Sequence, residues 1–586
     1  MCVVCNAGLA EFLKASSSRR DFLKYAGATA ASSGLMASGI PPTPVRAQSA
    51  TPTGTADVIF RGGPILTMNE GVPRAEALAT RGAQILAVGP AADVEARRGP
   101  STRFVDLGGR ALLPGLIDPH MHFVFVLFED WIDVSAIATP TYEGVQTKLR
   151  EGARAAKAGD WVRAWQFDPS ITQGAHTPTL AELDALAPDN PFFMLENNGH
   201  VAYVNSRALQ TTGITRDTPD PPTARFVRGP DGALTGKLEE TLAYLPFIAK
   251  MPIPSAMEMR ARIRRMFDRA AAAGCTALHD CGIGALRGTT DLALLDAAIQ
   301  ENPSIRYRGM LVSTAMSDWE KMDIRPGRGD DRFRVDGIKA WSDGSNQAYT
   351  GYQRTNYLGR DSRGALNYTL EQLTEAVRRA HRAGWQVGVH ANGDAGIDTT
   401  IAAYETVLRE TPRTDHRHRI EHCSILHPEQ IAKMRELGLS PSFLIGHVRW
   451  WGKAFRDRIL GPERASLYDL CASAQKAGLR ISLHSDWNVT PIEPLRCVED
   501  AVSRIMNEGG EVLNSDERIT AETALRAVTI DAAWQCKMDN ITGSLEPGKY
   551  ADLALLERDP TTVSPTEISK IKVSETWLSG ERRYVA

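Results

Sequence analysis

Residues 113–122 read LPGLIDPHMH, an apolar run that ends in two histidines. A short apolar run bounded by turn residues predicts a buried β-strand. His120 and His122 are two residues apart, so in an extended chain both imidazoles face the same side. The stretch therefore predicts a strand that presents a chelating pair at its carboxyl end.

Seven further apolar runs follow along the chain, at residues 276–280, 306–312, 337–341, 386–390, 419–422, 440–445 and 480–486. Most are separated by amphipathic helical stretches such as 370–383, 397–409, 428–437 and 463–477. This alternation predicts βα units, a parallel sheet and the α/β class. Eight strands close a barrel, so we expect residues 113–539 to form a TIM-like (β/α)8 barrel.

Two features fall outside this pattern. Short β-like runs separated by glycine-rich turns occupy residues 56–112 and return after residue 540, which predicts one small β-sandwich domain built from 56–112 and 540–586. The link between the first two barrel strands is too long for a loop. We expect residues 130–253 to form an inserted domain that overhangs the barrel mouth.

The N-terminus is typical of a bacterial export signal. Residues 18–24 read SRRDFLK and precede a weakly hydrophobic stretch of small residues and a Val45-Arg46-Ala47 cleavage sequence. Residues 1–47 are therefore predicted to be a twin-arginine signal peptide, with a disordered tail as the alternative. This predicts the twin-arginine machinery as a partner, a periplasmic or secreted protein, and no membrane anchor after cleavage.

Composition and cysteine spacing narrow the function classes. Charged residues make up 23% of the chain and the net charge is -3, which argues against a nucleic-acid partner and leaves a homo-oligomer open. Cys2 and Cys5 would leave with the signal peptide. The other six cysteines are scattered, so we expect buried unpaired thiols instead of a disulfide framework.

Polar side chains recur at the ends of the predicted barrel strands. A histidine in such a place is more often structural than a ligand, but several at matching ends of one barrel indicate an active site. The candidate metal ligands are His120, His122, Lys339, His390, His422 and Asp486.

Lys339 is the unusual member of this set because it lies within the apolar run VDGIKAW, residues 335–341. Burying an ammonium group without a partner is costly. One interpretation is a neutral lysine that reacts with carbon dioxide and becomes an anionic metal bridge. The alternative is an ion pair with Asp343 or Asp336.

Several motifs in order resemble the amidohydrolase superfamily, most closely the large family 3 branch that includes N-substituted formamide deformylase. They are PGLIDPHMH (114–122), PFFMLENNGHVAYVNSRAL (191–209), IKAWSDGS (338–345), VHANGD (389–394), RIEH (419–422), SD (485–486) and GSLEPGKYADL (543–553). The resemblance implies a hydrolase of C–N bonds other than peptide bonds, acting on a small-molecule amide.

The resemblance also implies roles for single residues. His120, His122 and Asp486 would hold one metal ion, His390 and His422 a second, and carboxylated Lys339 would bridge them. A metal-activated water would attack, and Asp486 would pass its proton to the leaving amine. Zinc suits these ligands best, with manganese, iron or cobalt also compatible.

The substrate pocket is less well defined by the sequence. Trp341 and His447 are predicted to contact substrate, while Trp450 and Trp451 either line the pocket or pack the outer shell. His200 resembles a family position that reaches into the pocket and is a third candidate, with an ordinary surface histidine as the alternative. Glu421 should point away from His422 and support the site or the fold. Asp118 and Asp280 either orient imidazoles or cap helices.

Other reactions share this scaffold. A deaminase, a lactonase or a decarboxylase would use the same ligands, because only the pocket selects the bond that is cleaved. A non-catalytic exported binding protein that keeps the barrel is the third class of alternative.

Overall fold

The structure is a computed structural model that describes residues 53–586, apart from residues 198, 200, 222–223, 286 and 302–303. The predicted signal peptide, Cys2, Cys5 and the candidate substrate residue His200 lie outside the described residues. None of the helices within the described ranges is long and apolar enough to span a bilayer. The six described cysteines are buried and free, as expected.

Eight parallel strands follow one another around a barrel. They are Leu116–Met121, Cys275–Ile283, Arg306–Val312, Phe333–Trp341, Gln386–Ala391, Arg419–His422, Ser440–Phe443 and Ser482–Leu483. The short strand Arg328–Gly329 pairs antiparallel with the fourth of them. Beyond the eighth strand, the Asp486 amide donates to the carbonyl of His120 at 3.1 Å and Met121 forms a parallel bridge with Trp487. These bonds bring the eighth strand back to the first, so the predicted barrel is confirmed.

Helices cover the outside of the barrel, and local capping residues mark where several of them begin. For example, Thr369 and Gln372 form a capping box at the start of Leu370–Arg382. The helices are Ala256–Ala272, Thr290–Glu301, Met316–Lys321, Leu370–Arg382, Asp394–Glu410, Pro428–Leu437, Gly446–Ala454, Pro462–Ala465, Cys471–Lys476, Pro494–Ser503, Ala521–Ala527 and Ile530–Gln535.

One predicted helix differs from the structure. Residues 463–477 form two short helices, Pro462–Ala465 and Cys471–Lys476, instead of a continuous one. Between them Tyr468 bridges to Ile425, and Asp469 has a left-handed φ of 49° that a helix cannot contain. Tertiary pairing overrides the helical pattern here.

The long link between the first two barrel strands has a sheet of its own. Its strands, in spatial order, are Arg225–Arg228, Leu234–Glu239, Val201–Val204, Phe192–Glu196, Val162–Phe167 and Ile132–Asp133. The helices of this region are Tyr142–Ala155, Leu180–Leu186, Ser206–Thr212 and Thr241–Ile248. It touches the loops after barrel strands seven and eight, where Trp451 Nε1 donates to Asp168 at 2.8 Å and Gln166 Nε2 to the Asn488 carbonyl at 2.5 Å. The boundaries 130–253 stay a prediction.

Both ends of the described chain meet in one mixed sheet. Leu553–Leu556 pairs antiparallel with Ala111–Pro114. The other strands are Val58–Leu66, Arg74–Arg81, Gln84–Gly89, Arg103–Asp106, Val573–Leu578 and Glu581–Val585, with the short helix Ala91–Glu95. The sandwich arrangement stays a prediction. A buried ion pair between Arg306 Nε and Asp552 at 2.6 Å joins this sheet to the amino end of a barrel strand.

Candidate metal centre

Four barrel strands bring candidate ligands together around the Asp486 carboxylate. Its Oδ1 lies 3.4 Å from His120 Nε2 and 3.2 Å from His122 Nε2. Its Oδ2 lies 4.0 Å from His422 Nδ1. Lys339 Nζ is 3.3 Å from His120 Nε2. Side chains that are far apart in the sequence therefore converge at the carboxyl end of the barrel, and His120, His422 and Asp486 present ligand atoms within 4.8 Å of one another.

His390 joins this group from the fifth strand. Its ring centroid is 4.5 Å from that of His422, and its Nε2 is 3.0 Å from the Gly344 carbonyl. Asn392 Nδ2 lies 2.9 Å from the same Nε2, so both a carbonyl acceptor and an amide donor are within hydrogen-bond distance of this nitrogen.

The backbone turns at two of the candidate ligands. His422 has φ of 67° and Asp486 has φ of 51°, both in the left-handed region that β-strands do not use. Such conformations cost on the order of 1 kcal/mol or more in residues other than glycine and cluster at functional sites. His422 is the last residue of the sixth strand, and Asp486 lies three residues beyond the end of the eighth strand at Leu483.

Several polar atoms in this group are buried and have no hydrogen bond to any residue that the structure describes. They are both ring nitrogens of His122, both ring nitrogens of His422 and Oδ1 of Asp486. Buried polar atoms are almost always hydrogen-bonded, and an ion is one of the accepted explanations when they are not. Burial, with Lys339 and neighbouring imidazoles acting in the same direction, holds the pKa of His120 and of His422 well below the usual range. Neutral imidazoles are the form that binds metal.

Lys339 is fully buried, and no carboxylate lies within ion-pair distance of its Nζ in the part of the chain that the structure describes. The Asp343 carboxylate instead accepts backbone N–H groups of Asn392, Gly393 and Tyr352 at 2.8–3.0 Å. Asp336 makes no ion pair with Lys339 either. No contact among the described residues therefore supports an ion pair of Lys339 with Asp343 or Asp336.

Glu421 supports the centre from behind. Its Oε2 lies 2.6 Å from His120 Nδ1. Arg419 donates to the same oxygen at 2.6 Å. Asp118 accepts a hydrogen bond from Ser485, and Asp280 accepts one from the Tyr307 hydroxyl at 2.9 Å. Among the described residues, neither carboxylate is hydrogen-bonded to an imidazole.

Glu421, His120 and Cys281 also lie close enough to hold an ion. The position between them is already filled by hydrogen bonds, since Arg419 and His120 both bond to the Glu421 carboxylate. Burial, with Glu421 acting in the same direction, raises the pKa of Cys281 well above its usual range, so its ligand form is disfavoured. We do not assign a metal site to this group.

His484 is the neighbour that the sequence interpretation missed. Its ring stacks on His120 with centroids 4.5 Å apart and 16° between the planes, and it lies 5.3 Å from the His422 ring. Its Nε2 is 3.2 Å from the Ser442 carbonyl. Its spacing in the sequence could have identified it. His484 lies two positions before Asp486 in the same apolar run, and in an extended strand such residues face the same side.

Two of the three candidate substrate residues are described, and both are buried beside the centre. The Trp341 ring lies 6.0 Å from Lys339 Nζ, and its Nε1 has no hydrogen-bond partner among the described residues. His447 packs on Tyr468 with centroids 5.4 Å apart, and its Nδ1 is likewise without a partner there. Burial lowers the pKa of His447 to about 3, so it is neutral. Trp451 instead packs between the barrel and the inserted sheet, and Trp450 is half-buried.

An aromatic wall begins at His122. Phe125, in the 3-10 turn Phe123–Phe128, lies 6.0 Å from the His122 ring. Trp165 of the inserted sheet and Trp487 after the eighth strand lie 6.0 and 6.4 Å from Phe125. The wall is buried and joins the candidate centre to the inserted sheet.

Comparisons with known proteins agree with this architecture. Residues 103–584 match the amidohydrolase family. The chain is 29% identical to Protein LONG AFTER FAR-RED 3 of Arabidopsis thaliana, over 90% of this chain and 92% of that protein. It is 28% identical to N-substituted formamide deformylase of Arthrobacter pascens, over 87% of this chain and 95% of that enzyme.

A solved structure shows the same fold. An uncharacterized metal-dependent hydrolase from Pyrococcus horikoshii superposes with a TM-score of 0.68 at 21% identity, over 87% of this chain and 99% of that one. The family match extends over most of the present sequence, including the whole barrel and the terminal-sheet strands from Arg103–Asp106 onward. The chain therefore belongs to the amidohydrolase family.

Proposed function

We propose that this protein is a metal-dependent hydrolase that cleaves a C–N bond in a small-molecule amide. The observation that carries the proposal is the group of buried imidazoles around Asp486, in which burial keeps His120 and His422 neutral and several ring nitrogens have no hydrogen bond among the described residues. The similarity to N-substituted formamide deformylase supports an amide or formamide as the substrate class.

The donor set fits one or two divalent cations. His120, His122 and Asp486 would hold one cation and His390 and His422 a second, and Lys339, once carboxylated, would supply an anionic ligand to them. Nitrogen and carboxylate donors suit zinc, and also manganese, iron or cobalt. A bound divalent ion would polarise the substrate carbonyl and make a water nucleophilic near neutral pH.

The surrounding side chains have separate roles in proton transfer and in substrate binding. Within the described part of the chain Asp486 Oδ1 has no hydrogen bond, and it faces both first-strand histidines, so it is placed to accept the proton of the attacking water and return it to the leaving nitrogen. Trp341 Nε1 can donate to an acceptor on the substrate. The neutral His447 offers Nδ1 as a second polar contact. Phe125, Trp165 and Trp487 favour an apolar or aromatic substituent and exclude water.

The substrate class is tested by a screen of formamides, acyl amides and cyclic imides with the metal-loaded protein. Release of a carboxylic acid and an amine from at least one of them is the expected result. Release of ammonia from aromatic amines, without amide cleavage, would identify a deaminase instead.

The carbamate at Lys339 makes a separate prediction. Lys339→Ala should abolish amide hydrolysis, because the variant loses the anionic group that we place between the metal positions. Short carboxylic acids such as formate or acetate should restore part of the activity by occupying the vacated volume. A correctly folded variant that no acid rescues would contradict the carbamate and leave a structural lysine.

We also propose export through the twin-arginine pathway, with residues 1–47 removed. Replacing Arg19 and Arg20 together by lysine should keep the chain in the cytoplasm, because the pathway reads the arginine pair. Cell fractionation with an antibody to the folded protein measures this. Normal export of the double variant would refute this route.

A further inference from the structure

One candidate ligand, His120, differs from the others in what lies behind it. Its Nδ1 is 2.6 Å from Glu421 Oε2, and an ionised carboxylate only accepts hydrogen bonds. The proton of the imidazole therefore lies on Nδ1. The lone pair lies on Nε2, the atom that is 3.3 Å from Lys339 Nζ and 3.4 Å from Asp486 Oδ1.

Glu421 is itself held in place. Arg419 donates from one guanidinium nitrogen to Glu421 Oε2 at 2.6 Å and to the Pro119 carbonyl at 3.0 Å. His120, Arg419 and Glu421 are all fully buried, so the carboxylate cannot exchange these partners for water. Rotating it away would leave a buried guanidinium without its counter-charge, which is strongly unfavourable.

The contacts of the other imidazoles differ. His390 Nε2 lies 3.0 Å from the Gly344 carbonyl, and Asp343 Oδ1 is 3.8 Å from the same nitrogen, which is too far for a hydrogen bond. The nearest carboxylate oxygen to His122 Nδ1 belongs to Asp280 at 3.9 Å, which is too far for a hydrogen bond. His422 has no hydrogen bond at either ring nitrogen within the described residues.

We propose that Glu421 is a positioning residue that fixes the proton of His120 on Nδ1 and makes its Nε2 a stronger donor to metal. A carboxylate behind a ligating histidine raises the basicity of the ligand and sets its orientation. The metal position that includes His120 is then the tighter of the two. This inference rests on the proposed metal-dependent function.

Glu421→Gln tests the role with little change in volume. An amide can donate as well as accept, so it permits the tautomer with the proton on Nε2, and it removes the negative charge. We expect the affinity of the tighter metal position to fall about 10- to 100-fold, the usual cost of losing such a contact. Competition between a coloured chelator and metal-free protein reloaded with Zn²⁺ measures the affinity of each binding step.

A matched control is available in Glu499. It is buried, pairs with Arg496 at 2.7 Å and accepts from Ser569, but lies on the outer helix Pro494–Ser503. Glu499→Gln should leave both binding steps unchanged. An unchanged tight step in Glu421→Gln, or a change in the weaker step alone, would overturn the proposal.

Two further measurements keep the test decisive. If Glu421→Gln fails to fold because Arg419 is left unpaired, the double variant with Arg419→Met removes the stranded charge and should show the same loss of affinity. Nitrogen NMR of labelled histidines in the metal-free protein should show His120 protonated on Nδ1 in the wild type and a mixed tautomer in Glu421→Gln. A wild-type protein that binds no metal would instead refute the proposed function itself.

Discussion

Asp486→Asn should leave the fold intact and lower the turnover of amide hydrolysis by about 10³-fold, within the range expected for a positioned proton carrier. The substitution is nearly isosteric, and the backbone bond from residue 486 to the His120 carbonyl does not involve the side chain. An amide cannot take up the proton of water at neutral pH. The measurement is kcat under saturating metal and substrate, with thermal unfolding measured in parallel.

Asp500→Asn is the matched control for this variant. Asp500 is buried, neither of its carboxylate oxygens has a hydrogen bond among the described residues, and burial raises its pKa to about 8. At neutral pH an asparagine there imitates the carboxylic acid, so turnover should stay at the wild-type level. Equal turnover losses in the two variants would point to a general effect on the fold and against a specific role for Asp486.

His120→Asn should remove both metal and activity. The shorter amide cannot reach the positions that His120 Nε2 holds beside Lys339 and Asp486, and it also breaks the bond to Glu421. The loss of metal affinity should exceed the roughly 10- to 100-fold that removal of an outer contact costs. Metal content after dialysis and amide hydrolysis are measured on the same preparation.

His416→Asn serves as the comparison for His120→Asn. His416 is a buried histidine that lies before the amino end of the sixth strand, at the opposite end of the barrel from the centre. The His416→Asn variant should retain metal and activity even if its thermal stability falls. Activity that survived in His120→Asn would mean that the first-strand pair is structural.

The barrel could be predicted from the sequence because its strands are separate apolar runs, and each candidate ligand ends or lies within one of these runs. His120 and His422 come at the carboxyl ends of parallel strands, and these ends all lie at the same end of the barrel. The first run breaks at Gly115, where the chain passes from the terminal sheet to the barrel. The eighth strand is only Ser482–Leu483, because Asp486 leaves the extended conformation.

Contacts between distant residues could not be predicted in the same way. Strand alternation predicted that Glu421 faces away from His422, but not that its partner is His120, 301 residues away. The stacking of His484 on His120 and the aromatic wall around Phe125 depend on how three separate segments meet. Side-chain packing across a barrel has no local signal in the sequence.

The central claim is that the cluster around Asp486 is a metal centre, and metal analysis of the purified protein tests it most directly. After reconstitution with Zn²⁺ and dialysis, we expect the wild-type protein to hold one to two ions per chain and the His120→Asn variant to hold fewer. A wild-type protein that holds no ion after reconstitution, while remaining folded, would contradict the account.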